Sequence, residues 1–297
     1  MKWIKAARLR TLPLSLAGIV MGGALSICGE FNAIIFWLCI ATATAFQVLS
    51  NFANDYGDFT KGTDNDDRIG PERTMQAGLI SKKEMKTALV LISIVSLILG
   101  GYLSYLGTRL METKFLILFL FLGAFCVVAA IKYTVGKRAY GYSGLGDLFV
   151  FIFFGLVGVL GAKFLISGSF NGLEILPACS IGLFSMAVLN LNNMRDEHND
   201  KANNKNTLVV KMGLKKAKVF HFILILDGML LLLIQTYLSF QSFWQWLYIL
   251  PFVLLVKHLI FVKNTNENRD FDPELKKVAL STFFISILFF LGTYLSC

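Results

Sequence analysis

The sequence predicts an all-α, polytopic membrane protein built as a bundle of nine transmembrane helices. Three observations carry that prediction. Hydrophobic residues make up 56% of the 297 residues, and the mean hydropathy of +0.64 is too apolar for a water-soluble fold of this size. The apolar residues collect in nine runs of spanning length. The loops between those runs alternate between rich and poor in Lys and Arg, as the positive-inside bias requires.

The first run, at about 12 to 28, follows Lys2, Lys5, Arg8 and Arg10. It is read as a retained span rather than a signal peptide, although Ala24 to Ser26 resembles a weak cleavage site. The second, at 33 to 50, leads straight into the acidic stretch NFANDYGDFTKGTDNDD (51–67). Runs at 85 to 107 and 115 to 131 follow. A Gly- and Tyr-rich segment from Tyr133 to Phe149, YTVGKRAYGYSGLGDLF, then enters the fifth run at 145 to 166. The sixth, at 173 to 193, ends in NNMRDEHNDK, and the last three lie at 217 to 238, 243 to 262 and 277 to 295. With the N-terminus cytoplasmic, 25 of the 28 Lys and Arg fall on the cytoplasmic side, leaving Arg109, Lys114 and Lys163. The expected organisation is a single transmembrane domain, 1–297, of two loosely duplicated halves, about 1–140 and 141–297.

The net charge of +9 is explained by these cytoplasmic loops, so no nucleic-acid partner is implied; the partner of the surface is the lipid bilayer. The five cysteines, Cys28, Cys39, Cys126, Cys179 and Cys297, are odd in number and scattered. They indicate neither a disulfide framework nor a CxxC metal site and read as small buried hydrophobes.

The two acidic motifs end spans two and six, an even number of crossings apart, so both face the cytoplasm and can share one site. Asn51, Asp55 and Asp58 stand at i, i+4, i+7, on one face of a helix. Asn192, Asp196 and Asp200 stand at i, i+4, i+8. Carboxylates at the mouth of a helical bundle are costly unless paired or bound to a cation, and hard oxygen ligands suit Mg2+, which bridges carboxylates to phosphates. Asp55, Asp58, Asp196 and Asp200 are therefore the candidate metal ligands, and a diphosphate the candidate ligand of the metal. The competing reading has the same acids solvating helix ends beside Lys61, Arg195 and Lys201. Asp64 can assist the metal; Asp66 and Asp67 read as solvated loop acids.

A departing diphosphate needs cations around it. Arg10, Lys61, Arg73, Lys132, Lys137, Arg138, Arg195 and Lys201 are candidates, whereas Lys82, Lys83, Lys215 and Lys216 read as topology determinants. Arg195, wedged between Asn192 and Asp196, is the one hardest to explain by topology. Tyr133, Tyr140 and Tyr142 either anchor the interface or line a substrate pocket. Asp147 serves either as a helix N-cap or in function. Asp227, deep in the seventh span, should face the bundle interior, but no partner is evident. Phe and Met stripes read as packing or lipid-facing, and some can line a tunnel for an isoprenoid tail.

These motifs resemble those of the UbiA superfamily of intramembrane aromatic prenyltransferases over nearly the whole chain. The resemblance implies Mg2+ and a polyprenyl diphosphate at the cytoplasmic mouth of nine helices, held by Asn51, Asp55 and Asp58 from one half and Asn192, Asp196 and Asp200 from the other. The third acid of the usual first motif is absent, with Gly62 in its place and Asp64 beyond. ARLRTLPLS (7–15), the 54–78 stretch, the 133–161 stretch and NNMRD (192–196) resemble the members that prenylate 1,4-dihydroxy-2-naphthoate with loss of carbon dioxide, giving demethylmenaquinone. Arg10 and Arg138 would then hold the aromatic carboxylate. The alternatives are a related enzyme acting on 4-hydroxybenzoate, homogentisate or haem, and a cation-coupled transporter. A bacterial inner-membrane location is implied.

Overall fold

The computed structural model describes residues 1–65 and 68–297, so the expectation for Asp66 and Asp67 lies outside the described residues. The chain opens with a short helix, α1 (Lys2–Ala7), ended by Arg8, a non-glycine residue in the left-handed region at φ 48°. A single 3-10 turn leads into α2 (Leu12–Ala24), with Pro13 in the first helical turn, where a missing N–H costs no hydrogen bond. Helix α3 (Ala33–Lys61) begins at Asn32, whose side chain accepts from the Ile34 and Ile35 N–H groups, and stops at Gly62, φ 76°. A reciprocal Ser81–Glu84 capping box starts α4 (Lys82–Thr108), and α5 (Thr113–Lys132) returns.

Helix α6 (Gly146–Ser167) is composite: α-helical ends flank a π-helical stretch from Phe151 to Gly161. There follow α7 (Gly172–Arg195), the short α8 (Glu197–Ala202) and α9 (Leu208–Met212), and three further long helices, α10 (Leu214–Leu238), α11 (Phe243–Asn264) and α12 (Asn268–Tyr294).

Among the described residues eight helices, α3 to α7 and α10 to α12, are long and apolar enough to cross a membrane. The first expected crossing differs. Its helix, α2, has 13 residues and so is only about 20 Å long, short of the roughly 30 Å hydrocarbon core, because the chain leaves the helix through turns at Leu25 to Gly29. Helix α2 nonetheless sits inside the bundle against α3, α6 and α12. Glycines allow this: a Cβ on Gly18 would lie 2.7 Å from the Phe154 carbonyl oxygen, and one on Gly22 2.6 Å from that of Val159.

Two further expectations need correction. Cys28 and Cys297 form a disulfide, because α2 and α12 pack together and bring residues 269 positions apart to the same end of the bundle; Cys39, Cys126 and Cys179 are free. Asp227 is exposed rather than interior. The other face of α10 is the buried one, with Gly228 so close to Phe184 that a Cβ would lie 2.6 Å from its ring.

Candidate active site

A cavity of about 420 Å³ opens among α2 to α7. Its walls are apolar, with Ile19, Phe46, Leu103, Phe119, Phe153 and Leu165 among the lining side chains. Along α6 the lining positions recur every four residues, as 149, 153, 157, 161, 165 and 150, 154, 158, 162. In an α-helix of 3.6 residues per turn each such step drifts by about 40°. The wider i→i+5 turn of the π stretch offsets that drift. Its charged lining residues gather at one end. There Asp58 and Asp64 from the first half meet Asp196 and Asp200 from the second, together with Arg8, Arg68, Arg73 and Lys205.

The last turns of α3 deliver Asn51, Asn54 and Asp58 to this mouth. Gly57, between the acids, lets Thr134 press against the helix; a Cβ there would lie 2.4 Å from the Thr134 hydroxyl. The Thr134 hydroxyl donates to the Ala53 carbonyl at 2.8 Å. Next to it, Tyr133 lines the cavity with Tyr140. Tyr142 does not line it but holds Asp58: its hydroxyl donates to Asp58 Oδ1 at 2.8 Å and lies 2.7 Å from the Thr63 hydroxyl. The ammonium groups of Lys61 and Lys205 stand 3.6 and 5.6 Å from the Tyr142 ring centroid.

The second motif is not one continuous helix. Helix α7 stops at Arg195, Asp196 occupies the break, and α8 starts at Glu197. The buried Arg195 guanidinium lies behind Asp196, donating from Nε to Oδ1 at 2.9 Å and from Nη2 to Oδ2 at 2.6 Å. It also donates to Asn192 Oδ1 at 2.9 Å and to Asp272 at 2.5 Å. Such a bidentate pair fixes the carboxylate's orientation. Asp200 pairs with Lys205 at 3.3 Å. Asn199 Nδ2 donates to the Thr63 carbonyl at 2.9 Å, tying the two motifs directly.

Asp55 is turned elsewhere. Its Oδ1 accepts from Arg8 and, at 3.3 Å, from Arg73 Nη1, and its Oδ2 accepts from the Thr74 hydroxyl at 3.2 Å. It lines a second cavity of about 300 Å³ with Arg10, and Arg8 and Arg73 line both cavities. Asn51 reaches the main cavity, but its amide donates to the Ala7 carbonyl at 2.8 Å and the Thr11 hydroxyl at 3.0 Å, anchoring the N-terminal segment. Lys132, Lys137, Arg138 and Lys201 are exposed and line neither cavity. Asp147 is buried in the first turn of α6, also outside both. The sequence reading missed Arg8, Arg68 and Lys205 as cavity cations. Their place depends on loop folding and on the turn at Arg8, which residue spacing does not encode.

Charge at the mouth is unevenly held. Burial raises Asp200 to about 6, with Asp196 and Asp58 adding to the rise against Lys205. Burial likewise raises Asp64 to about 6, against the pull of Arg73. For Asp196 burial also pushes upward, but the hydrogen bonds and charge of Arg195, with Arg68 and Lys205, bring it below the usual carboxylate range. Burial and the neighbouring Arg73 lower Arg8 to about 10. Burial opposes the charge on Lys205, yet Asp58 and Asp200 hold it above the ordinary value.

Both oxygens of Asp64, Oδ2 of Asp200 and the Nε groups of Arg8 and Arg73 are buried without a hydrogen-bond partner. Among the described residues no three His, Cys, Asp or Glu side chains stand close enough to hold a metal by themselves. Asp64 Oδ1 is ion-paired with Arg68 Nε at 3.3 Å and Arg73 Nε at 3.7 Å, and carboxylate oxygens and guanidinium donors left short of hydrogen bonds side by side suit a ligand that brings both negative charge and a dication.

The UbiA prenyltransferase family model matches residues 15–288. The chain is 43% identical over 293 residues to a 1,4-dihydroxy-2-naphthoate octaprenyltransferase of Haemophilus influenzae, covering 98% of this chain and 94% of that one. It is 41% identical over 295 residues to the enzyme of the same name from Escherichia coli, covering 99% and 95%. In fold it is similar to a UbiA homologue from Archaeoglobus fulgidus solved bound to DMAPP and Mg2+, with a TM-score of 0.69 at 15% identity over 100% of this chain and 99% of that one. A UbiA homologue from Aeropyrum pernix gives a TM-score of 0.70 at 15% identity over 94% and 99%.

Proposed function

This chain belongs to the UbiA prenyltransferase family, and from that premise we infer that it transfers a polyprenyl group from polyprenyl diphosphate to 1,4-dihydroxy-2-naphthoate, with loss of carbon dioxide, giving the hydroquinone form of demethylmenaquinone. The observation that carries this reading is the meeting of acids and cations, Asp58 and Asp64 with Asp196 and Asp200 beside Arg8, Arg68, Arg73 and Lys205, at one end of a mainly apolar cavity. It is a multi-pass membrane enzyme, with the mouth assigned to the cytoplasmic side.

Asp58, Asp196 and Asp200, with Asp64 beside them, are the carboxylates suited to Mg2+. That too few converge for a protein-only cage agrees with an ion that keeps waters and takes phosphate oxygens as its remaining ligands. When bound, Mg2+ neutralises charge on the diphosphate. Arg8, Arg68, Arg73 and Lys205 offset the charge that grows on the bridging oxygen as the allylic C–O bond breaks. Arg8 and Arg73 line both cavities, so a bound diphosphate would compete with Asp55 for them, and Asp55 would then be free to help hold the dication. The apolar wall excludes water from the allylic cation, and the aromatic side chains of Tyr133, Tyr140, Phe149 and Phe153 line the same cavity. The electron-rich acceptor ring attacks that cation, and carboxylate loss restores aromaticity. No covalent nucleophile on the protein is required; positioning and exclusion of water suffice. Arg10, which lines the second cavity, is the better placed of the two arginines assigned to the acceptor carboxylate, since Arg138 lines neither cavity.

The test is incubation of the purified protein with dihydroxynaphthoate, a polyprenyl diphosphate and magnesium, followed by mass analysis. The prenylated, decarboxylated product is expected; its absence, or a preference for 4-hydroxybenzoate, homogentisate or haem, rejects the reading. Asp55→Ala and Asp196→Ala should each lower turnover by about 100-fold or more while remaining folded in the membrane. Near wild-type rates from either would reject the metal assignment.

A further inference from the structure

The disulfide between Cys28 and Cys297 has no part in the chemistry above, and its position is informative. Cys28 follows α2, which starts beside the mouth residues Arg8 and Thr11 and runs away from them. Cys297 follows α12, whose first turn carries Asp272, paired to Arg195 behind the mouth. At 1.5 Å per residue, the 24 residues from Phe271 to Tyr294 place Cys297 about 36 Å along the helix from that end. The bond therefore lies on the face opposite the cavity mouth.

The same face is nearly free of cations. Only Arg109, Lys114 and Lys163 of the 28 Lys and Arg belong to it, and Lys163 is buried against Glu174 at 2.9 Å. The positive-inside bias makes such a face extracytoplasmic. Disulfides persist in oxidising compartments and are rare in reducing ones. Charge and sulfur chemistry are independent, and they agree.

The surroundings fit a fastening. Helices α2 and α12 pack along each other, and the end of α12 also abuts the start of α11. There a Cβ on Gly292 would lie 2.3 Å from the Trp244 carbonyl oxygen, and the Ser242 and Ser296 hydroxyls are 2.8 Å apart. The three other cysteines lie within α3, α5 and α7 and are unpaired.

We propose that Cys28 and Cys297 are oxidised together in the extracytoplasmic compartment, forming a covalent staple that ties the far end of α2 to the far end of α12, while the charged mouth opens to the reducing side. Two thiols become one disulfide with loss of two protons and two electrons. The acceptor is the disulfide of an extracytoplasmic thiol oxidase, which attack by one cysteine thiolate converts to a mixed disulfide; the second cysteine then displaces the reduced dithiol.

The test uses the full chain in intact cells. Free thiols are blocked with N-ethylmaleimide in denaturant after acid quenching, the protein is reduced, and newly freed thiols are tagged with a maleimide polyethylene glycol. Two tags per chain are expected in the wild type and none in Cys28→Ser. No tag on the wild type would overturn the proposal. Spheroplasts treated with a membrane-impermeant reductant and then an impermeant maleimide should be labelled at Cys28 and Cys297 without lysis. Labelling that appears only after lysis would overturn the assignment of the face. The Cys28→Ser/Cys297→Ser double variant should keep its turnover and melt at least roughly 5 °C lower; an unchanged melting temperature would overturn the staple.

Discussion

Tyr142 shows how one side chain can govern a site it does not enter. Its hydroxyl holds Asp58, and the Lys61 and Lys205 ammonium groups both stand over its ring. Tyr142→Phe keeps the ring and deletes the donor. Partners that orient a ligating group typically contribute 10- to 100-fold, so turnover should fall by about that factor with the protein still folded, as prenyl-transfer rates on purified protein would measure. Asp64 and Asp200 give the site its acid limit. Each is raised to about 6 from an ordinary 3.8, so turnover should decline as pH falls through about 6 and both lose their charge. Stability runs the other way: a carboxyl whose folded pKa exceeds its unfolded value stabilises fully below the unfolded value and loses that contribution as pH rises through the folded one. Magnesium-free protein should therefore melt higher at pH 5 than at pH 7, and Asp200→Asn should flatten that slope in a thermal-shift series. Helical spacing singles out Asp58, Asp196 and Asp200 in sequence, and all three line the cavity. Arg8, Arg68 and Lys205 were not legible there, since a bend and two loops bring them in. The turn of Asp55 toward Arg8 and Arg73 was equally hidden, being a choice among cations that only packing resolves.

The long helices were legible element by element because apolar length alone specifies a crossing, and α3 carries its acids out of the bilayer as the unbroken pattern required. Two features escaped that logic. The second motif spans a helix break at Asp196, which continuous i, i+4 spacing conceals. Helix α2 stops at Ala24 although the apolar run continues, because hydropathy does not register turns. Close approach between elements is set by glycines whose role appears only in three dimensions. At Gly57 a methyl group would meet Thr134 and push the 133–142 segment, with Tyr133 and Tyr142, off α3. Overpacking of this kind costs about 1–3 kcal/mol. Gly57→Ala should accordingly lower the melting temperature by several degrees and turnover by more than Gly62→Asn, since a Cβ at Gly62 meets nothing within 4 Å and Asn tolerates the left-handed backbone; thermal shift and rate assays on the pair of variants would check this.

For the molecule as a whole, the two halves meet through few polar links, chiefly Asn199 to Thr63, Arg68 to Asp196 and Tyr142 to Asp58. A diphosphate with magnesium would add a bridge across the same seam, so the pair together should raise the melting temperature where neither does so alone. At 100 times its dissociation constant a ligand contributes about 2.7 kcal/mol, and calorimetry with inorganic pyrophosphate would show it. The bond joining the two ends of the bundle was not legible in sequence, because 269 intervening residues leave no local trace. Along α6 the four-residue recurrence keeps one stripe of the helix in phase with the cavity as far as Leu165. Remove a single residue from the π-helical stretch and the turn tightens, rotating Gly161, Ala162 and Leu165 out of phase while Asp58 and Asp196 stay put. Such a deletion would shorten the usable bore without altering the reactive end, so brief allylic donors would still be consumed and lengthy ones refused.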